Sequence, residues 1–550
     1  MPTFPPPTRP GPRAELRIAI DGETLVLDGS PSRPDDTDGA PIVSYAWVTR
    51  PDSPAPLAAP SGGPLEGQRA TAALPSADGE YYVTLRVQDA AGRADTASSY
   101  FVVQGRRARV PAYASENPGW VERAVVYGVI PRLFGAPAFQ AIAARLDDLR
   151  DLGVNALWLA PVNRSPVGDF GYAVTDYVDV NPEYGSREDF RRLVQAAHAR
   201  GIRVLMDFVP NHSSAQHPFF LDAQARGRES PYYDFYDRDE QGGPTHYFGW
   251  THLPNLNYDN PAVRQYMLDA FTYWVREFDV DGFRVDVAWG IRERRPDFWP
   301  LWRRELQRIK PDLLLLAEAS ARDPYYFDNG FDAAYDWTAQ LGKWAWEIVW
   351  ESKTLLTYNL HAALTNAGRG FHPDALIFRF LNNNDTGTRF ITDHGEELTR
   401  LAAALLLTLP GIPCVYTGDE IGAAYHPYRD AAPLAWQETY PRLRDHYRHL
   451  IRLRIETPSL HARAWQPLNA EPSRQVYAYL RFLPPAEAPL LVLLNFSGAD
   501  LQAEVRLPPP FESFGRGRAL TNLLTGAAVT PSMGASLTLA LPAWSALVLS

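Results

Sequence analysis

The sequence predicts a multidomain fold: an N-terminal β-sandwich, a central (β/α)8 TIM barrel with a short insertion after its third strand, and a C-terminal antiparallel β-sandwich. Three observations lead there. The chain of 550 residues exceeds what one hydrophobic core organises, at roughly 150 residues per domain. Short strands of period two open and close it. Between them, apolar strands alternate with amphipathic helices, the pattern of a parallel sheet with crossover helices.

Residues 1–13 form a proline-rich segment, and residues 14–105 carry short strands punctuated by Gly, Pro and Asp. In one strand Tyr81, Val83, Leu85 and Val87 face one way and Tyr82, Thr84 and Arg86 the other. The stretches GETLVLDGSPS (22–32), IVSYAW (42–47) and DGEYYVTLRVQDAAG (78–92) resemble the polycystic-kidney-disease (PKD) type of immunoglobulin-like module. That resemblance implies a spacer or docking unit, with Trp47 in its core rather than on a ligand platform.

A basic linker is read over 106–120, and the barrel over 121–212 and 261–460. Its strands are expected at 125–131, 155–161, 203–209, 282–288, 313–319, 333–337, 375–381 and 414–418, eight in all, which suits a closed barrel. Phe139, Ile142, Leu146, Leu149 and Leu152 recur at helical spacing until Gly153 ends the run. Ser186 stands three residues before Asp189, a capping-box start, and Phe190, Leu193, Val194 and Ala197 supply that helix's buried face. Residues 213–260 are too long for an ordinary connection and read as a functional insertion. A terminal β-sandwich is expected over 461–550, with strands at 476–482 and 490–496.

A formal charge of −11 argues against a nucleic-acid partner, since phosphate recognition needs clustered Lys and Arg. The 15 Trp and 27 Tyr offer flat faces with polar tips that suit sugar rings, although most such residues belong to the core. Cys414 is the only cysteine, so there is no intramolecular disulfide and no cysteine-based metal cluster; it reads as inert core. No apolar run reaches the ~18 residues of a membrane span. The first residues lack a basic segment followed by an apolar one, so no signal peptide is read there. Location stays open between the cytoplasm and, with an export signal removed, the exterior. Oligomeric state is not legible.

Barrel enzymes build their sites at the carboxyl ends of the strands. Those ends read DFVPNH (207–212) on the third strand, GFRVDVAW (282–289) on the fourth, LLAEAS (315–320) on the fifth and FLNNNDTGTRF (380–390) on the seventh. Cleaving a glycosidic bond needs a carboxyl that keeps its proton and a carboxylate beside the anomeric carbon, about 5 to 5.5 Å apart in a retaining enzyme. Asp286 and Glu318, on neighbouring strands, suit that pair. Arg284 lies two residues before Asp286, hence on the same face, where it favours the ionised form. Glu318 needs a raised pKa, from burial and the nearby negative charge.

These segments, in this order, resemble the conserved regions of the α-amylase family, glycoside hydrolase family 13. The likeness extends to YGVIPRLF (127–134), GYAVTDYVDVNPEYG (171–185), LPNLN (253–257) and GIPCVYTGDEIG (411–422), and runs from about residue 121 to the C-terminus. It implies Asp286 as nucleophile, Glu318 as general acid/base and Asp385 as the third catalytic carboxylate. Tyr172, His212, Arg284 and Asn384 make up the expected substrate-binding set, with Asp207 and Asn211 in structural support. Residues 213–260 become the family's B domain. Asn384 departs from the usual His, and Arg389 falls one residue later than the arginine often found there. Of the family's calcium ligands Asn211 remains, but Asn255 replaces the common Asp and Gly290 a ligating His. No metal is assigned, no cofactor is required, and calcium is not expected at that site.

The implied activity is retaining hydrolysis of α-1,4-glucosidic bonds in starch or maltooligosaccharides. A neopullulanase or cyclomaltodextrinase type of hydrolase, acting on cyclodextrins or pullulan, stays open, because of the leading β-sandwich, the short insertion and LPNLN, similar to the MPKLN of that group. A 4-α-glucanotransferase also stays open, as does a non-catalytic glycan-binding protein, against which retention of all three carboxyls argues.

Overall fold

Eight parallel strands close into a barrel: β1 (Val126–Val129), β2 (Ala156–Leu159), β3 (Arg203–Phe208), β4 (Gly282–Val285), β5 (Leu314–Ser320), β6 (Ala333–Tyr335), β7 (Leu376–Phe380) and β8 (Ile412–Tyr416). Each falls within or overlaps its expected strand. The computed structural model describes residues 11–35, 38–51, 53–110, 117–337, 345–351, 354–533 and 536–550, so most of the proline-rich segment lies outside the described residues.

The strands are buried on both faces, and their side chains alternate between two cores. Val126, Trp158, Leu205, Leu316, Phe378 and Tyr416 fill the lumen. Tyr127, Leu157, Met206, Phe283, Leu315 and Val415 face the surrounding helices instead. Gly282 opens β4 because nothing larger fits: a Cβ there, at φ +153°, would lie 2.0 Å from the Leu314 carbonyl oxygen of β5. The two strands that carry the carboxyl pair are thereby brought together.

The helix expected over Phe139 to Leu152 is two, α1 (Ala138–Ala144) and α2 (Leu146–Leu152), broken at Arg145 with φ −100° and ψ 1°. All five apolar residues are nonetheless buried, because both pieces present one face. Gly153 closes α2 in the left-handed region. The capping box of α3 (Arg187–His198) is formed as expected, with Ser186 N–H donating to Asp189 Oδ2 at 2.9 Å and Asp189 N–H to Ser186 Oγ at 3.1 Å. Within the insertion, α4 (Pro218–Arg226) is held by aromatic packing, Phe219 stacking on Tyr232 at 3.9 Å.

The N-terminal sheets contain three and five strands, with Leu25, Leu27, Trp47, Tyr81, Val83, Leu85 and Val87 buried between them. Trp47 is core, its indole N–H bonded to the Gly67 carbonyl. The expected linker begins too early. Gly105 and Arg106 both take positive φ, 57° and 62°, which turns the chain back so that Arg107–Arg109 pairs with the end of Ala94–Gln104. Two four-stranded antiparallel sheets follow the barrel, among them Val476–Leu483 paired with Glu487–Asn495. Among the described residues no helix is long and apolar enough to cross a membrane.

Candidate active site

The register of β3, β4 and β5 sets Asp207 beside Arg284 and Val285 beside Ala317. Asp286 and Glu318 occupy the next positions, on neighbouring strands. The Arg284 guanidinium, fully buried, is the hub. Its Nη1 donates to Asp286 Oδ1 at 2.7 Å and Asp207 Oδ1 at 3.0 Å, and its Nε donates to Tyr335 Oη at 3.0 Å. Its Nη2 lies 2.9 Å from Glu318 Oε1, an ion contact without hydrogen-bond alignment. The Trp158 and Tyr335 rings flank it at 5.4 and 5.5 Å.

Glu318 Oε2 accepts from the Val287 N–H at 2.7 Å. Val287 itself adopts φ 48° and ψ 40°, a region that β-branched residues rarely enter. The backbone is strained where it aims that N–H at Glu318.

Asp207 Oδ2 accepts from Trp158 Nε1 and Tyr172 Oη, both at 3.2 Å. His212 lies behind Tyr172. Asn211 Nδ2 donates to its Nδ1 at 3.1 Å, which leaves Nε2–H to donate to the Tyr172 carbonyl at 3.2 Å. Burial pulls its pKa down to about 3, so the ring is neutral at any working pH. It stacks on Tyr247 of the insertion, with centroids 4.8 Å apart. Across the pocket Asp385, exposed, accepts from Tyr428 Oη at 2.9 Å. Asn384 Nδ2 donates to Tyr172 Oη at 3.0 Å and Tyr428 Oη at 2.8 Å.

Burial is the largest influence on Asp207, Asp286 and Glu318 and raises all three, with Arg284 opposing. Asp207 and Asp286 are each raised to about 7. Arg284 does favour ionised Asp286, as expected, but burial outweighs it. Glu318 is pushed well above its ordinary value, with the Asp286 and Asp385 charges adding to burial. One cation cannot neutralise three buried carboxylates, which favours a proton retained within the cluster.

Three expected substrate-binding residues turn inward. Arg284 has no exposed surface because its guanidinium is consumed by the carboxyls and Tyr335. Both ring nitrogens of His212 are engaged by protein, and both amide hydrogens of Asn384 go to tyrosine hydroxyls. Asn384 Oδ1 is buried with no hydrogen-bond partner among the described residues. Arg389 is buried too, bonded to the Asn383 and Gly387 carbonyls under the loop. Asn211 bonds Arg294 through its carbonyl oxygen and Oδ1. Among the described residues no group of three or more His, Cys, Asp or Glu is placed to hold a metal ion.

The family model for the alpha amylase catalytic domain matches residues 133–452, more than half of the chain. The chain belongs to the alpha-amylase family. It is 34% identical over 390 residues to alpha-amylase MalA of Haloarcula japonica, covering 69% of this chain and 56% of that protein. The chain thus spans little more than half the length of that relative. A cyclomaltodextrinase of Geobacillus thermopakistaniensis is 29% identical, with 75% and 74% covered, and neopullulanase 2 of Thermoactinomyces vulgaris 29%, with 76% of each. Among solved structures, an alpha-amylase from H. orenii superposes with a TM-score of 0.64 at 28% identity, covering 77% of this chain and 98% of that one.

In this alpha-amylase-family site, Trp158, Tyr335, Tyr247, Tyr428 and the Val287 N–H escaped the sequence reading. Tyr335 had a detectable signal: it alternates with Ala333 on an expected strand and so shares the lumen face. Tyr428 lies in an aperiodic loop after β8, where no pattern marks it.

Proposed function

We propose that this alpha-amylase-family protein hydrolyses α-1,4-glucosidic bonds in starch or maltooligosaccharides with retention of configuration. The observation that carries this reading is that one guanidinium engages Asp286 on one nitrogen and Glu318 on the other, at the ends of adjacent strands. Two carboxyls on one small planar group suit direct attack by carboxylate rather than by an interposed water.

Glu318 gives its proton to the glycosidic oxygen while an Asp286 oxygen attacks the anomeric carbon, and the bond to the leaving glucan breaks. Glu318, now ionised, then takes a proton from water, whose oxygen displaces Asp286 and restores both groups. Asp385, with Tyr428 Oη on one of its oxygens, faces the same space and suits sugar hydroxyls. Neither step calls for a cofactor.

A second reading, a cyclomaltodextrinase or neopullulanase type of hydrolase, is supported by the β-sandwich ahead of the barrel and by the two relatives so named. Products from amylose, pullulan, cyclodextrin and maltotriose separate the readings. Shortened amylose with α-anomers in the first NMR spectra supports the first. Preferred opening of cyclodextrin, or panose from pullulan, supports the second, and products longer than the substrate point to transfer. Asp286→Asn is expected to fold normally and lose nearly all turnover; near-native turnover overturns the nucleophile assignment.

A further inference from the structure

Arg294 ends α5 (Ala288–Arg294), the short helix that follows Asp286. Its side chain is buried, and each of its five N–H groups reaches an oxygen. Nε donates to Gly290 O at 2.9 Å, and Nη1 to Asp237 Oδ2 at 2.6 Å and Leu256 O at 2.7 Å. Nη2 donates to Asn211 O at 3.2 Å and to Asn211 Oδ1. Five donors are all that a guanidinium has, so the group is saturated.

A carboxylate, an amide oxygen and three carbonyls are the hard ligands that a calcium ion collects. Here they surround an organic cation, the Arg294 guanidinium. Asn211 and Gly290 are two of the positions where the family resemblance puts calcium ligands, and Asn255 Oδ1 accepts from Asn211 Nδ2 at 3.4 Å. A divalent ion does not fit among these residues: its oxygens are taken, and a second positive charge at that range is repelled. Gly290 belongs to the same arrangement. A Cβ there would stand 2.5 Å from Asn211 Oδ1, against the amide that Arg294 holds.

We infer that the Arg294 guanidinium replaces the divalent cation at this place, and that this tethered charge positions the residues leading to the catalytic cluster. By taking Asn211 Oδ1, Arg294 leaves Asn211 Nδ2 for His212 Nδ1. That sets the His212 tautomer, whose Nε2–H holds the Tyr172 carbonyl. Tyr172 Oη in turn donates to Asp207, which shares Arg284 with Asp286. Asp237 and Leu256 belong to the insertion, so the same side chain fastens the insertion to the barrel beside the site. Arg294 is a positioning residue; it touches no reacting atom.

The test compares the full-length protein with Arg294→Ala and Arg294→Lys, each treated with EDTA and then with calcium chloride or guanidinium chloride. Thermal midpoint and kcat on amylose are read in each arm. For the native protein both are expected to be the same after EDTA and after calcium. Arg294→Ala is expected to lose about 10- to 100-fold in kcat, the range typical of supporting-shell losses. Either cation then raises its midpoint and restores part of kcat, and Arg294→Lys lies between. A native midpoint that falls in EDTA and returns with calcium overturns the proposal, as does an Arg294→Ala protein that matches the native one or ignores both cations. If Arg294→Ala does not fold, the native and Arg294→Lys arms still decide. The midpoint needs no substrate, so failure here is distinct from failure of the glucan reading.

Discussion

Asp207, Asp286 and Glu318 compete for one guanidinium, and burial decides how the competition ends. On the proposed mechanism Asp286 attacks only as a carboxylate, so its active fraction grows as pH rises through about 7. On that mechanism Glu318 donates only as an acid, so its active fraction falls as pH rises through its own raised pKa. The expected kcat/KM profile is a bell whose acid limb sits closer to neutrality than an ordinary carboxylate gives, its limbs belonging to the coupled cluster. Glu318→Gln, assayed on an aryl glucoside whose leaving group needs no proton, should lose the alkaline limb; retention of that limb removes Glu318 from the role. These two carboxyls are legible in the sequence because each ends an apolar strand, and Arg284 because it shares their face at a spacing of two. Arg294 is not. In the sequence it is one more arginine at a helix end, and its role exists only where β3, the insertion and α5 meet.

All eight barrel strands can be read from the sequence because each is a short apolar run bounded by turn residues, a signal that survives burial on both faces. The break at Arg145 leaves no such trace, since the apolar spacing continues on one face across it. Strand ends away from the site carry their own fastening. Asp281, just before β4, is fully buried and binds His198 Nε2 at 2.6 Å, Arg203 Nη1 at 2.8 Å, Lys310 Nζ at 3.0 Å and the Val204 N–H at 2.8 Å. Burial alone would raise its pKa, but the His198 and Arg203 hydrogen bonds and the Lys310 charge together bring it down to about 2. A depressed carboxylate contributes stability above its unfolded pKa of about 3.9 and loses it as pH falls through the folded value. The shift corresponds to about 2 to 3 kcal/mol. Asp281→Asn should therefore unfold at lower urea than the native protein at neutral pH, with the gap closing as pH falls toward 2. A gap that stays constant with pH contradicts this account.

The N-terminal sandwich and the insertion meet at a pair of consecutive arginines. Arg294 turns into the insertion, while Arg295 bridges to the sandwich, its Nη1 3.0 Å from Asp95 Oδ1 and 3.5 Å from Asp259 Oδ1 of the insertion, and its Nε 2.8 Å from Asp297. Asp297 Oδ2 accepts the Ser98 N–H at 2.8 Å, and Arg308 of α6 (Phe298–Ile309) pairs with Glu80 at 2.7 Å. The sandwich therefore braces the stretch of chain that runs from Asp286 through Arg294, and its docking bears on how firmly the insertion is held. Hydrogen bonds to charged groups contribute about 1.5 to 3 kcal/mol each. Asp95→Asn combined with Glu80→Gln weakens three of them, from Arg295 to Asp95 and from Arg304 and Arg308 to Glu80, while leaving every residue of the cluster in place. That variant is expected to show an earlier, separate calorimetric transition for the sandwich, because docking no longer couples it to the barrel. Its kcat on amylose should fall several-fold, through looser seating of Arg294, with the shape of the pH profile unchanged. A single transition at the native temperature together with native kcat would mean that the sandwich is carried by the barrel without bracing it.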